Sequence, residues 1–353
     1  MSKLPKWPAR KRKKEHTRKT DAQNTESFSN MHFLRLVRPV NLLVIALTMY
    51  AVRVFFLPYM HEPCSCLGWN SEPFDFFLLV LSTVIIAAGG NIINDYFDVK
   101  ADRINKPEKL IITKYIKPRW AILMHWIFNL VAFGIACYLS WRHETFWYMF
   151  IHLLSINGLW FYSMYFKRRF LIGNVIISIL TGLVPILCGI YFLDITAPFD
   201  RDNLSVYWTT SDGSWITDLN LKIFFVLFFA IFAASLNLVR EIVKDMEDVP
   251  GDLVLKAKTL PIVLGQQKTK WIVISLILVM LILPTPFIWE AYAIYGNAFV
   301  IAMAPALLVI IGLLIVIFQL LKATEKHQLK RADMILKLVM FIGCCMPFYW
   351  YFL

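Results

Sequence analysis

The sequence predicts an all-α membrane protein of about nine transmembrane helices, with its two halves related by a pseudo-repeat. Three observations carry that expectation. Of 353 residues, 58% are hydrophobic and only 17% charged, against about 45–50% and about 25% in ordinary globular domains, so the excess apolar surface needs lipid as its solvent. The apolar residues are gathered into blocks long enough to cross about 30 Å of hydrocarbon as helix, roughly 20 residues apiece. The basic residues fall almost wholly in alternate loops between those blocks, as the positive-inside rule demands.

The chain opens on residues 1–30, a basic and disordered cytoplasmic tail. Within it, Lys3 to Lys19 includes the run Arg10-Lys11-Arg12-Lys13-Lys14, which anionic lipid attracts. The tail lacks the apolar core of a cleaved signal peptide, and Glu15, Asp21 and Glu26 dilute the acid-poor character of an organelle transit peptide. A formal charge of +12, from 36 Lys and Arg against 24 Asp and Glu, would raise the question of nucleic acid in a soluble protein. Here the tail and the basic loops account for it, so membrane lipid and no nucleic acid is expected as partner.

Residues 31–353 then form one transmembrane domain. The expected spans are Val40–Tyr59, Phe74–Gly90, Ala121–Trp141, Phe146–Phe166, Leu171–Leu193, Leu221–Val239, Trp271–Trp289, Phe299–Leu321 and Ile335–Phe352. With the tail inside, the inner loops hold Lys100 to Arg119, Lys167 to Arg169, Lys244 to Lys270 and Lys322 to Arg331, whereas the outer loops offer only Arg142 and Arg201. The expected setting is a bacterial inner (plasma) membrane, multi-pass, with the N-terminus and the active-site loops cytoplasmic. The outer segment Asp194–Asn220, with Asp200, Asp202, Asp212 and Asp218, reads as a solvated cap. The six cysteines, Cys64, Cys66, Cys137, Cys188, Cys344 and Cys345, make no metal or redox pattern and read as packing residues.

Two inner segments differ from the rest. The second span ends in Asn91-Ile-Ile-Asn94-Asp95-Tyr-Phe-Asp98-Val-Lys-Ala-Asp102, and the sixth in Arg240-Glu241-Ile-Val-Lys244-Asp245-Met-Glu-Asp248-Val-Pro-Gly-Asp252. Small residues and an asparagine precede both, which suggests the internal repeat. Asn94, Asp98 and Asp102 are spaced to share one helix face, and Asp245, Asp248 and Asp252 repeat the arrangement. Carboxylates gathered on one stripe repel each other unless a cation sits among them. Hard oxygen ligands without His or Cys suit Mg²⁺, which completes its shell with water and phosphate oxygens. Two such clusters facing each other suit metal ions and a diphosphate. Acids at membrane depth are costly and mark substrate paths; paired with neighbouring lysines at helix ends, they would be plain solvated groups. Lys167, Arg168, Arg240 and Lys244 supply the basic half of a phosphate site.

These residues resemble the UbiA-type intramembrane prenyltransferases, closest in motif form to the geranylgeranylglyceryl phosphate prenyltransferase-like branch. Asn94, Asp98 and Asp102 are similar to that family's Asn-x-x-x-Asp-x-x-x-Asp motif, and Asp248 with Asp252 to its second Asp-x-x-x-Asp region. Arg38-Pro39-Val-Asn41 and the stretch from Tyr162-Ser163 through Lys167-Arg168 to Gly173-Asn174 also fit. The resemblance implies nine helices around a central cavity and Mg²⁺-dependent transfer of a prenyl group from a prenyl diphosphate to a membrane-accessible acceptor. It implies Asn94, Asp98, Asp248 and Asp252 as main metal ligands, with Asp95, Asp102 and Asp245 assisting. Asp98, Asp248, Lys167 and Lys244 would be catalytic, and Arg38, Asn41, Asn91, Tyr162, Arg168 and Arg240 would bind substrate. The chain departs from the family after Pro107: where relatives carry Arg-Pro and a glycine-containing turn, it has Glu108-Lys109-Leu110-Ile111-Ile112-Thr113-Lys114.

The expected chemistry is ionisation of the allylic diphosphate, with cations offsetting charge on the leaving group and aromatic rings shielding the allylic cation. The acceptor stays open between a glycerol-phosphate lipid and an aromatic ring of quinone biosynthesis, since Arg38 suits a phosphate or a carboxylate equally. A transporter or lipid-binding protein without enzymatic activity is the competing class; it would release no diphosphate.

Overall fold

The apolar runs mark where helices lie in the membrane, but not where they stop. The structure, a computed structural model, describes residues 32–56, 73–192, 207–209, 215–285, 289, 292, 297–323 and 325–352. The basic tail, Cys64, Cys66, Asp200, Arg201, Asp202 and Asp212 lie outside them.

A short helix α1 over residues 32–37 is followed by Arg38, whose φ of 57° turns the chain into α2 (Pro39–Phe56). Next come α3 (Pro73–Asn105), α4 (Pro118–Arg142), α5 (Trp147–Met164) and α6 (Ile172–Phe192). After them stand α7 (Asp218–Val254), the one-turn α8 (Leu260–Leu264), α9 (Gln266–Ile282), α10 (Asn297–Ala302), α11 (Ala304–Lys322) and α12 (Lys326–Tyr351). Within the outer segment expected as a cap, β1 (Tyr207–Thr209) and β2 (Trp215–Thr217) pair antiparallel, with Trp208 opposite Ile216. Asp218, expected in that cap, is the first residue of α7.

Nine of the described helices pack in a closed ring in chain order, α2 through α7, then α9, α11 and α12, with α12 returning to α2. By length and composition, seven of the described helices can cross a membrane: α2, α3, α4, α6, α7, α11 and α12. The expectation of nine spans stands at seven on this count. Of the other two ring members, α5 is 18 residues long and carries His152, Ser155, Asn157 and Ser163, and α9 ends at Ile282 after 17 residues, short of the expected Trp289.

Helices α3 and α7 are 33 and 37 residues long. At 1.5 Å per residue they reach about 50 and 55 Å, some 20 Å beyond a hydrocarbon core of about 30 Å. Both acidic segments ride on these overhanging ends. Two apolar clusters flank the α3–α7 contact. One joins Met49, Phe56, Phe76, Leu79, Tyr148, Tyr191 and Phe192 from α2, α3, α5 and α6. The other joins Val239, Val243, Ile277, Leu313, Val316 and Leu336 from α7, α9, α11 and α12. At the pole opposite the acids, buried Asp75 accepts from Arg142 Nε at 2.7 Å and lies 3.2 Å from His143 Nε2, fastening the start of α3 to the end of α4.

The departure after Pro107 has a structural form. A 3-10 turn over Pro107–Lys109 leads to buried Ile111 and Ile112, packed on Leu36, Val37, Ile92 and Ala121. The chain reverses at Thr113, where φ is 78°, a conformation that a β-branched residue adopts rarely. The Thr113 N–H donates to the Ile116 carbonyl at 2.9 Å. Among the described cysteines, Cys188 and Cys344 are buried, Cys137 and Cys345 are half-buried, and all four are free.

Candidate active site

Every segment singled out in the sequence for chemistry gathers at one pole, where α3, α5 and α7 end and α2, α6 and α9 begin. The loops there are tied together: the Lys258 N–H, beyond α7, donates to the Arg168 carbonyl, beyond α5, at 2.9 Å.

On α3, Asn94 and Asp98 are buried one turn apart, and Asn94 Nδ2 donates to Asp98 Oδ2 at 2.9 Å. Their shared partner is Lys167, on a 3-10 turn over Phe166–Arg168. Its ammonium donates to Asn94 Oδ1 at 3.2 Å and pairs with Asp98. Gly173 permits this approach, because a Cβ there would stand 2.8 Å from both the Lys167 Cα and the Phe166 carbonyl oxygen. Burial pulls the Lys167 pKa down, but the attraction of Asp98, Tyr162 and Glu241 together with its hydrogen bond to Asp98 holds the value above that of an ordinary lysine. Lys167 is therefore a fixed positive charge at any physiological pH.

Asp95 faces elsewhere. It pairs with Arg38, as its position beside Asn94, about 100° around the helix, requires. Asn91 Nδ2 donates to the Val37 carbonyl at 2.9 Å, and the Asn41 N–H donates to the Arg38 carbonyl at 3.0 Å. These contacts join Arg38, Asn41, Asn91 and Asp95 into a frame that holds the start of α2 against α3.

On α7, Asp245 and Asp248 have separate partners. Asn174 Nδ2 donates to Asp245 Oδ2 at 2.8 Å, and Lys106 Nζ donates to Asp248 Oδ2 at 2.9 Å. For Lys106 too, burial lowers the pKa, and Asp248, Glu247 and Asp102 together raise it above the ordinary value. Buried Asp252 lies within electrostatic reach of Lys167 and Asp98, and the Lys106–Asp248 contact joins the two acidic segments directly. Asp102 senses Asp98, Lys167 and Lys106. Buried Tyr162, on α5, senses Glu241, Lys167, Asp245 and Asp98. Arg240 Nη1 donates to buried Glu241 at 2.9 Å, with Lys244 Nζ 3.5 Å from the same carboxylate. Arg240 Nε also stands 3.2 Å from Asp333 on α12, off the hydrogen-bond axis. Arg168 is half-buried on the turn beside Lys167.

Among the described residues, no three His, Cys, Asp or Glu side chains already stand as a set that closes on a metal ion. The donors nonetheless suit a hard divalent cation: carboxylates and amide oxygens, without His or Cys. Asp248 Oδ1 is buried with no hydrogen-bond partner, an acceptor left over for a ligand. Four contributors were not assigned site roles from the sequence: Asn105, Lys106, Asn174 and Glu241. They lie within or directly beside the segments singled out in the sequence, but nothing in their residue type or spacing marks them for a role.

Comparison with known proteins gives the fold and the family. A digeranylgeranylglyceryl phosphate synthase of Sulfurisphaera tokodaii is 31% identical over 220 residues, covering 62% of this chain and 68% of its own. The solved structure of a digeranylgeranylglyceryl phosphate synthase aligns with a TM-score of 0.57 at 22% identity, covering 91% of this chain and 98% of its own. A UbiA homologue from Archaeoglobus fulgidus, bound to GPP and Mg²⁺, aligns with a TM-score of 0.51 at 16% identity, over 90% and 99% of the two chains. The model of the UbiA prenyltransferase family matches residues 64–344, and with well over half of its length so matched the chain belongs to that family, an intramembrane prenyltransferase.

Proposed function

We propose that the protein transfers a prenyl group from a prenyl diphosphate to a hydroxyl of a glycerol-phosphate lipid, at the pole where α3 and α7 present their acids. The observation that carries this reading is that Lys167 pairs with Asp98 and Lys106 with Asp248 at the same pole, with Asp248 Oδ1 still free to accept. The glycerol-phosphate acceptor is favoured by the relatives whose names specify digeranylgeranylglyceryl phosphate synthesis.

Asn94, Asp98, Asp102, Asp245, Asp248 and Asp252 would hold Mg²⁺, which when bound supplies electrophilic stabilisation of charge on the diphosphate oxygens. Lys167 and Lys106, the cations now facing Asp98 and Asp248, pair with the diphosphate, and Lys244 and Arg168 add positive charge beside them. Preorganised cations of this kind act on charge that grows as the allylic C–O bond breaks. Tyr162 and Arg240 orient the substrate from the flanks. Arg38, paired with Asp95, stands within electrostatic reach of Asp98, Asp102 and Glu241 and adds positive charge at the rim of the site.

The basic loops at this pole support a cytoplasmic setting for it by the positive-inside rule. The relatives are mostly archaeal and lend no support to the bacterial inner membrane expected from the sequence. The test is incubation of the purified protein in lipid with Mg²⁺ and labelled geranylgeranyl diphosphate, with geranylgeranylglyceryl phosphate in one tube and 4-hydroxybenzoate in another. We expect product in the first. Product only in the second would move the enzyme to quinone synthesis, and no release of diphosphate in either would end the reading.

A further inference from the structure

We propose that Asn105, the last residue of α3, is a positioning residue that sets where Asp248 and Asp252 stand relative to Asp98. The inference rests on the metal-binding reading above and names what holds that site in shape.

Pro250 lies inside α7, between the two acids. A proline has no N–H, so the carbonyl four residues earlier loses its helical donor, and the ring crowds it. That carbonyl belongs to Met246, and Gln266 Nε2, from the first residue of α9, donates to it at 3.0 Å. One residue past the proline, the Gly251 N–H donates to Asn105 Oδ1 at 3.0 Å, while Asn105 Nδ2 donates to the Asp248 carbonyl at 2.9 Å. A side-chain amide has both an acceptor and donors, and here both kinds engage the same acidic turn. Lys106, the next residue, takes the Asp248 carboxylate at 2.9 Å. Two consecutive residues at the end of α3 thus hold the backbone and the side chain of one acid.

The helices touch closely at this point. A Cβ on Gly251 would press into the Asn105 amide and come within 2.9 Å of the Ala101 carbonyl oxygen. The Asn105 clamp is therefore the direct link between the helix carrying Asp98 and the turn carrying Asp248 and Asp252. Ligands on two separate helices serve one ion only while their separation holds to about 0.5 Å.

The experiment uses the full-length protein in lipid nanodiscs, with Mn²⁺ as probe. Free Mn²⁺ is read by electron paramagnetic resonance, and thermal unfolding is measured without metal. Wild type should bind Mn²⁺ saturably, and Asp98→Ala and Asp248→Ala should lose that binding. Asn105→Ala should weaken it about 10- to 100-fold, as loss of groups supporting metal ligands does, while metal-free unfolding moves little. Gly251→Ala should weaken it by a similar factor, and by less in the Asn105→Ala background, where the crowding amide is gone. Gly251→Ala carries the test alone if Asn105→Ala does not insert. Wild-type Mn²⁺ affinity in both single variants would overturn the clamp and leave the metal reading intact. Absence of saturable Mn²⁺ binding in wild type would overturn the metal reading and the clamp together.

Discussion

The two acidic helix ends carry similar residues at similar spacing, yet they are built differently. On α3, Asn94 and Asp98 lie on an unbroken helix, bond each other at 2.9 Å and share Lys167. On α7, a proline interrupts the acidic stretch, and Asp245 and Asp248 are held one by one from outside, by Asn174 and Lys106. The first end is a preset wall whose geometry comes from its own helix. The second is a surface whose geometry is imposed by α3, α6 and α9. Like sequence patterns thus leave one cluster self-supporting and the other dependent on its neighbours.

The broadest way to break this comparison is to remove one acid from each end. Asp98→Ala and Asp248→Ala should each lower prenyl transfer by at least ~10²–10³-fold, the scale of losing preorganised charge stabilisation, with membrane insertion intact. Chelation with EDTA should do the same to wild type and be reversed by Mg²⁺. Full turnover in either variant would end the two-cluster view.

Next in size is Lys167→Met, which leaves Asp98 buried without its cation. Breaking a buried pair costs about 3–5 kcal/mol, so a large drop in thermal stability is expected. Lys106→Met should cost less, because its pair is more exposed: 28% and 18% for Lys106 and Asp248, against 21% and 11% for Lys167 and Asp98. Equal losses would show that burial does not set the cost of breaking these two pairs.

Gln266→Ala leaves the Met246 carbonyl unsatisfied, at about 1–3 kcal/mol. Hydrogen exchange should quicken over residues 246–252 and stay unchanged over 94–102; matched changes at both ends would show that Pro250 makes no difference. The smallest effect belongs to deletion of residues 1–19, which lie outside the family match. Turnover of the inserted protein should hardly move, and a large loss would give the tail a catalytic role.

How much of this was legible in the sequence follows from the kind of force involved. The apolar spans could be read because transfer to lipid scales with the length of an apolar run. The overhanging ends of α3 and α7 could not be delimited that way, since contacts with other segments keep them helical. Asp98, Asp248 and Lys167 stood out by residue type and spacing. Asp95 turns to Arg38 because adjacent helical residues diverge, a consequence that the spacing already contained. Asn105, Asn174 and Gln266 were silent, because an amide reveals its role only through the carbonyl or carboxylate it meets. Thr113 was flagged as a departure from the family, but its positive φ was not foreseen.

The pairing of Asp98 and Asp248 with Lys167 and Lys106 means that the protein brings its own counter-ions. Carboxylates left bare among packed helix ends would need a dissolved cation before this pole could close. With lysines in place, folding of the pole does not wait on a divalent ion. A cell short of divalent metal would then hold the same amount of this protein in its membrane, folded and intact.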